Sequence, residues 1–132
     1  MYMLDTNTCS YIIRTRPPSV LEKFKTLPIS DISISSITQA ELLYGAERCS
    51  SKTVTYSIIE SFTSRLIILN WDSEAAKSYG YLRAYMEKNG RIIGNMDLMI
   101  AAHALSIGAT IVTNNIRHFN MIDGLKVENW VA

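Results

Sequence analysis

Asp5, Glu41 and Asp97 stand apart from the other acids among the twelve in this chain because of what surrounds them. Asp5 ends the apolar run MYMLD, and the helix-like TNTCSYIIR follows at once. An apolar strand that stops on a carboxylate delivers an acid to the C-terminal edge of an α/β sheet, where ligand and metal sites gather. The same Asp-Thr-Asn is also good helix-capping chemistry. Glu41 lies in the first turns of the helical SITQAELLYGAER, on a face shared with Ile37, Tyr44, Gly45 and Arg48. An ordinary helical glutamate would look the same. Gly45 is intrinsically costly in a helix, which suggests close approach by a ligand or another chain. Asp97 leads a helix whose neighbours, LMIAAHAL, are almost all apolar. The helix dipole by itself favours an acid there.

Each position has an ordinary explanation, and the combination is stronger than its parts. In a doubly wound sheet all three positions fall on one rim. Carboxylates held together without a cation repel, and at least one would take up a proton. A divalent cation removes that conflict, and oxygen ligands with open water positions suit Mg²⁺ or Mn²⁺ better than Zn²⁺. Near the end of the chain VTNNIRHF supplies Thr113, Asn114 and Asn115 after an apolar run. An asparagine there can offer a carbonyl oxygen to a metal, although Asn-Asn is also turn chemistry. His103 and His118 are too isolated for a metal pair and read as structural.

The elements that must position these groups alternate strand and helix. Strands are expected over residues 1–5, in DISISS, in a buried LIILN, in TIVT and, fifth, in LKVEN. Helices are expected over 7–15, stopped by Pro17-Pro18, and over 18–26, 36–48, 53–64, 73–88 and 95–106. Ser35 or Ser36 caps the third of these and Asn95 the last, with Gly108 as its stop. Ala75, Tyr79, Leu82 and Met86 place one apolar face on the 73–88 helix. The pattern predicts a three-layer α/β/α fold around a mostly parallel sheet of four to five strands.

Bulk properties set wide bounds. The chain has 132 residues, 48% of them hydrophobic, and a net charge of +1. That fits one domain over residues 1–132 with a real core, and neither demands nor forbids a nucleic-acid partner. Cys9 and Cys49 have no metal-ligand spacing and read as reduced, buried thiols of a cytoplasmic protein. No signal peptide or membrane span is expected, because the apolar stretch from Ile92 to Val112 is interrupted by Asp97, His103 and glycines.

The segments MLDTNTC, SSITQAELLYGAE, IGNMDLMIAAHAL and IVTNNIRHF, in that order, resemble PIN-domain ribonucleases, and most closely the VapC toxins of bacterial toxin–antitoxin pairs. The resemblance covers essentially the whole chain. It implies that Asp5, Glu41 and Asp97 are the Mg²⁺- or Mn²⁺-binding acids of a hydrolytic site. Thr6 matches the small hydroxyl residue that supports the first acid, with Asn7 and Thr113 as further supporting positions. It also implies an endoribonuclease acting on RNA, with tRNA cut in the anticodon region as the substrate and arrested translation as the result. A homodimer and a cognate VapB-type antitoxin follow, with an octamer as one form of the complex. One region departs from the family pattern: many members carry a further acid just after the fourth strand, where this chain has Asn115 and His118. That leaves Asn115 as a weak metal ligand and puts a second metal in doubt. It also motivates the rival reading, a catalytically impaired PIN-like module that binds RNA or protein.

Arg14, Arg16, Arg48, Lys52 and Arg91 are candidates for phosphate contacts, each with a solvated surface charge as its alternative. Tyr11, Tyr44 and Tyr85 could stack on bases, but are more often core or interface. Two other strand-end-aspartate chemistries are excluded. A haloacid-dehalogenase-type phosphatase needs a second Asp where Asn7 stands, and a receiver domain needs an Asp where LIILNW has Asn70.

Overall fold

A computed structural model of the chain describes residues 1–131; Ala132, the last residue of the expected domain, lies outside the described residues. Five parallel strands form one sheet in the order β3-β2-β1-β4-β5. They are β1 Tyr2–Leu4, β2 Ile32–Ser35, β3 Ile67–Leu69, β4 Thr110–Val112 and β5 Lys126–Glu128. The helices are α1 Thr6–Arg14, α2 Pro18–Lys25, α3 Ser36–Arg48, α4 Lys52–Thr63, α5 Ser73–Lys88, α6 Asn95–Ile107 and the short α7 Ile116–Phe119.

Strand periodicity decides which helix meets which face. Met3 and Ile111 point into a core with Leu82 and Met86 of α5, the alanines of α6, and Phe119. Leu4, Val112, Ile32 and Ile34 point the other way, against Cys9, Ile12, Val20, Leu42 and Ile59 of α1 to α4. The chain first builds outward from β1 through β2 to β3, then crosses to the opposite side of β1 for β4 and β5. The order therefore reverses beside β1, and the carboxyl ends of β1 and β4 flank the crevice where an open sheet binds ligands.

Local chemistry shifted several expected boundaries. β1 stops at Leu4 because Asp5 already caps α1, its Oδ1 accepting from the Thr8 amide at 2.8 Å. Residues Ile29–Asp31 form a 3₁₀ turn ahead of β2. The expected buried LIILN is instead an edge strand with Ile67 37% exposed, because no sixth strand covers β3. Gly94, not Asn95, is the cap residue of α6, and it has no side chain to satisfy the first amides. The turn expected after β4 winds into α7, pinned by Phe119, which is fully buried. Cys9 is buried, as expected, but Cys49 is only half-buried. Hydrogen bonds with Ser51 and Thr55 lower the Cys49 thiol to about 7. No described helix is long and apolar enough to cross a membrane.

Ser35 caps α3. Its Oγ accepts from the Ile37 amide at 3.1 Å and stands 2.8 Å from Nδ1 of the buried His103 on α6. Burial holds the His103 pKa below its usual value. The Ser35→Ala variant loses the cap and strands a buried ring nitrogen, so it is expected to lower stability by about 1–3 kcal/mol in urea unfolding.

Candidate metal and phosphodiester site

Three elements bring the acids together at the carboxyl edge of the sheet. Asp5 follows β1 directly, and its backbone N–H extends the ladder to the Val112 carbonyl at 3.0 Å. Glu41 rides on α3, which starts where β2 ends. Asp97 sits in the first turn of α6, and α6 must run back to feed the parallel β4, so its N-terminus lies at the same edge.

Asp5 is 3% exposed, whereas Glu41 and Asp97 are half-buried. Burial pushes the Asp5 carboxyl above the usual carboxylate range, hydrogen bonds from Thr113 and Thr8 pull the other way, and the Glu41 charge adds to the rise. Asp97 is raised by burial and then by the charges of Asp5 and Glu41, against the opposing pull of Asn115 and His118. The three acids therefore sense one another. No lysine or arginine offsets them, since the ion pairs among the described residues are Lys52–Glu47, Lys77–Glu74, Arg83–Glu87 and Arg91–Asp123.

Supporting residues fix each acid. The Thr6 hydroxyl donates to Glu41 Oε1. The Thr8 hydroxyl donates to the Val112 carbonyl at 3.1 Å while its amide holds Asp5, joining α1 to β4 beneath the acid. Thr113 accepts from the Asn115 amide N–H at 2.9 Å. Asn115 Nδ2 stands 3.4 Å from Asp97 Oδ2 and 2.8 Å from His118 Nδ1.

The donor set suits a hard divalent cation: carboxylates that repel one another, with no competing side-chain charge. It is not a closed cage. Among the described residues no three acids, histidines or cysteines stand close enough to ligate one ion. Mg²⁺ tolerates such a site because it keeps several waters and takes only one or two carboxylates. Asn115 turns its amide nitrogen to Asp97, 3.4 Å away, and would have to turn over to offer its oxygen to a cation.

The remaining expectations divide. Thr6 and Thr113 support the site, but Asn7 is exposed and makes no side-chain hydrogen bond to the described residues. Arg14 and Arg48 line a groove of about 560 Å³ that runs from Thr6 and Glu41 between α1, α3 and α4. Arg16 lies beyond it, with Arg14, Tyr11 and Pro17. Lys52 is paired with Glu47 at 2.8 Å on the surface, and Arg91 donates one N–H to the Met121 carbonyl at 2.7 Å; neither lines that groove. Gly45 lines the groove with open space where a Cβ would be, so no close approach within this chain explains it. Two residues that the sequence did not assign to the site stand beside it. Thr8 gave no signal beyond its capping distance from Asp5, and His118, read as structural, stands at the mouth of the site.

The profile described as PIN domain matches residues 2–125. The chain is 43% identical over 129 residues to the tRNA(fMet)-specific endonuclease VapC of Salmonella typhimurium, covering 98% of this chain and 97% of that protein. It is 43% identical to Ribonuclease VapC2 of Haemophilus influenzae, covering 98% of both. Among solved structures it is similar to VapBC2 from Rickettsia felis bound to a promoter DNA fragment, with a TM-score of 0.90, 43% identity and 98% of each chain covered. DNA-bound VapBC from Salmonella typhimurium gives a TM-score of 0.91 at 42% identity, with 98% of this chain and 97% of that one covered.

Proposed function

The chain belongs to the PIN-domain family, among its VapC ribonucleases, and from that premise we propose that Asp5, Glu41 and Asp97 hydrolyse RNA phosphodiester bonds with Mg²⁺ or Mn²⁺. The observation that carries this reading is the placement of three carboxylates by β1, α3 and α6 at the switch point of the sheet, with no lysine or arginine ion-paired to them among the described residues. A bound divalent ion there would supply charge to a phosphate oxygen and acidify a water. The protein's own part is positioning. Asp5 is locked by the Thr8 amide, so its carboxylate cannot swing away when substrate arrives. Glu41 has Oε1 tied to Thr6 and keeps Oε2 to accept a hydrogen bond from a water beside the phosphate. Asp97 keeps Oδ1 free while Oδ2 is held by Asn115.

The substrate we propose is tRNA cut in the anticodon region, in the cytoplasm, with arrested translation as the consequence. The support is the identity to a relative named for tRNA(fMet). The partner we propose is a VapB-type antitoxin. The apolar floor of the α1–α3–α4 groove, with Ile13, Leu42, Ala46 and Ile59 leading to Glu41, is chemistry suited to a peptide segment. A homodimer belongs to the same reading. Ile92, 85% exposed, and Met96, 49% exposed, leave apolar area for it beside the start of α6.

Purified protein is expected to cut tRNA with Mg²⁺ or Mn²⁺ and to stop on addition of EDTA, as read on gels with mapped cleavage ends. Equal, metal-independent cleavage by wild type and Asp5→Ala would favour the binding-module alternative, for which the open spacing of the acids is the supporting observation.

A further inference from the structure

We propose that His118 is a phosphate-contacting residue of this site, presenting its Nε2–H to a non-bridging oxygen of the RNA backbone, with Asn115 setting the tautomer that places the proton there. The inference rests on the ribonuclease reading and adds a residue that the sequence alone assigns to structure.

The geometry of one amide carries it. Asn115 Nδ2 is 2.8 Å from His118 Nδ1. An amide nitrogen has hydrogens to give and no lone pair to offer, so Nδ1 must accept. The second amide hydrogen faces Asp97 Oδ2 at 3.4 Å, and that carboxylate oxygen is an acceptor. Turning the amide over would aim Oδ1 at the Asp97 carboxylate, so Asp97 selects this orientation and His118 follows it. With Nδ1 accepting, the neutral ring carries its proton on Nε2.

The ring is held in place from both sides. Asn115 is anchored through its backbone N–H to Thr113 Oγ1, and Phe119, the residue after His118, is fully buried. His118 itself is half-buried, and its Nε2 makes no hydrogen bond to any described residue. A fixed donor is thus left open at the mouth of a carboxylate cluster.

That is useful chemistry at this place. Phosphate entering the site meets three acids that repel it. An N–H donor at the rim offsets part of that repulsion by a hydrogen bond to a non-bridging oxygen. The same tautomer argues against a metal-ligand role for His118, because the ring's one lone pair already faces the Asn115 amide.

Four measurements test it on the full chain. Long-range ¹⁵N–¹H spectra should show the Nε2–H tautomer at His118 and a mixture in Asn115→Ala. RNA affinity, measured in an Asp5→Asn background that leaves the RNA intact, should fall about tenfold in His118→Ala. His118→Gln, whose amide nitrogen reaches about as far as Nε2, should stay within about threefold of wild type on the same hydrogen-bond argument. The slope of log affinity against log salt should be unchanged in His118→Ala, because a neutral donor releases no counterion. Mn²⁺ affinity by electron paramagnetic resonance should be equal in wild type and His118→Ala. Unchanged RNA affinity, a slope reduced by about 0.7, or weakened Mn²⁺ binding would each overturn the proposal, the last by making the imidazole a metal ligand. Cleavage by the wild-type protein is scored separately: its absence removes the ribonuclease reading, while the affinity ratio still decides the contact.

Discussion

Asp5→Asn loses RNA cleavage by on the order of 10²–10³-fold or more, and the metal-free variant melts at a higher temperature than wild type. The first effect follows from position. Asp5 is the most buried of the three acids, at 3% exposed, and stands where β1 meets the topological switch. Asparagine has nearly the same shape and can still accept from the Thr8 amide, so the cap of α1 survives and the loss is one of charge. The second effect follows from the direction of the pKa shift. Burial holds the folded-state value above the reference value of 3.8, so between those two values the folded protein binds more protons than the unfolded one. Stability therefore falls as pH rises through that window, and the penalty persists at neutral pH. Asparagine removes it. Thermal unfolding in EDTA at neutral pH reads the gain, which should shrink as pH falls through that window, where Asp5 of the wild type takes up its proton, and be gone below the reference value of 3.8. A variant less stable than wild type at neutral pH without metal would show that hydrogen bonds from Thr8 and Thr113 outweigh the burial. Added Mn²⁺ should raise the melting temperature of wild type and move the variant much less.

Phe119→Ala is the most damaging core substitution expected, at about 3–5 kcal/mol. Phe119 is fully buried and leads the largest such side chains in the chain. It fills the core on the α5–α6 side of the sheet, together with Met3, Ile100 and Ile111. Its loss also unpins α7, and with it Asn115 and His118 at the site mouth. Urea unfolding measures the stability loss. RNA affinity of the still-folded fraction at low temperature should drop at least as far as in His118→Ala, because the whole segment is released. Normal affinity in a destabilised Phe119→Ala protein would show that the 115–118 segment holds its shape without its anchor.

Much of the molecule was legible in advance because its signals are local. The strand–helix alternation appears as period-two and period-3.6 patterning, and the parallel α/β class followed from it. The Ala75, Leu82 and Met86 face of α5 was found where its spacing placed it, with Tyr79 packed at its edge. The family motifs carried Asp5, Glu41 and Asp97 because each keeps its place within its own element. The errors lie where neighbours far away in the chain decide. LIILN has the composition of a buried strand, yet sits at an edge, because strand order is a property of the whole sheet. Asn95 has the composition of a cap, yet Gly94 takes that position in α6.

By itself the sequence determined which residues are the acids, which element carries each, and the family whose order of motifs they follow. Those follow from hydrophobic period, capping chemistry and side-chain type, all written within a few residues of each position. Only the tertiary structure decided that Asp5 and Asp97 both lie in surroundings that resist their ionisation, and that Glu41 is held through Thr6. It alone decided that Asn115 turns its nitrogen, not its oxygen, to Asp97, and so makes His118 a donor at the rim. The reason is that burial, repulsion and tautomer are set by groups that only folding brings together: Asp5 and Thr113, or Asp97 and Asn115, are remote in sequence and adjacent at the carboxyl edge of one sheet.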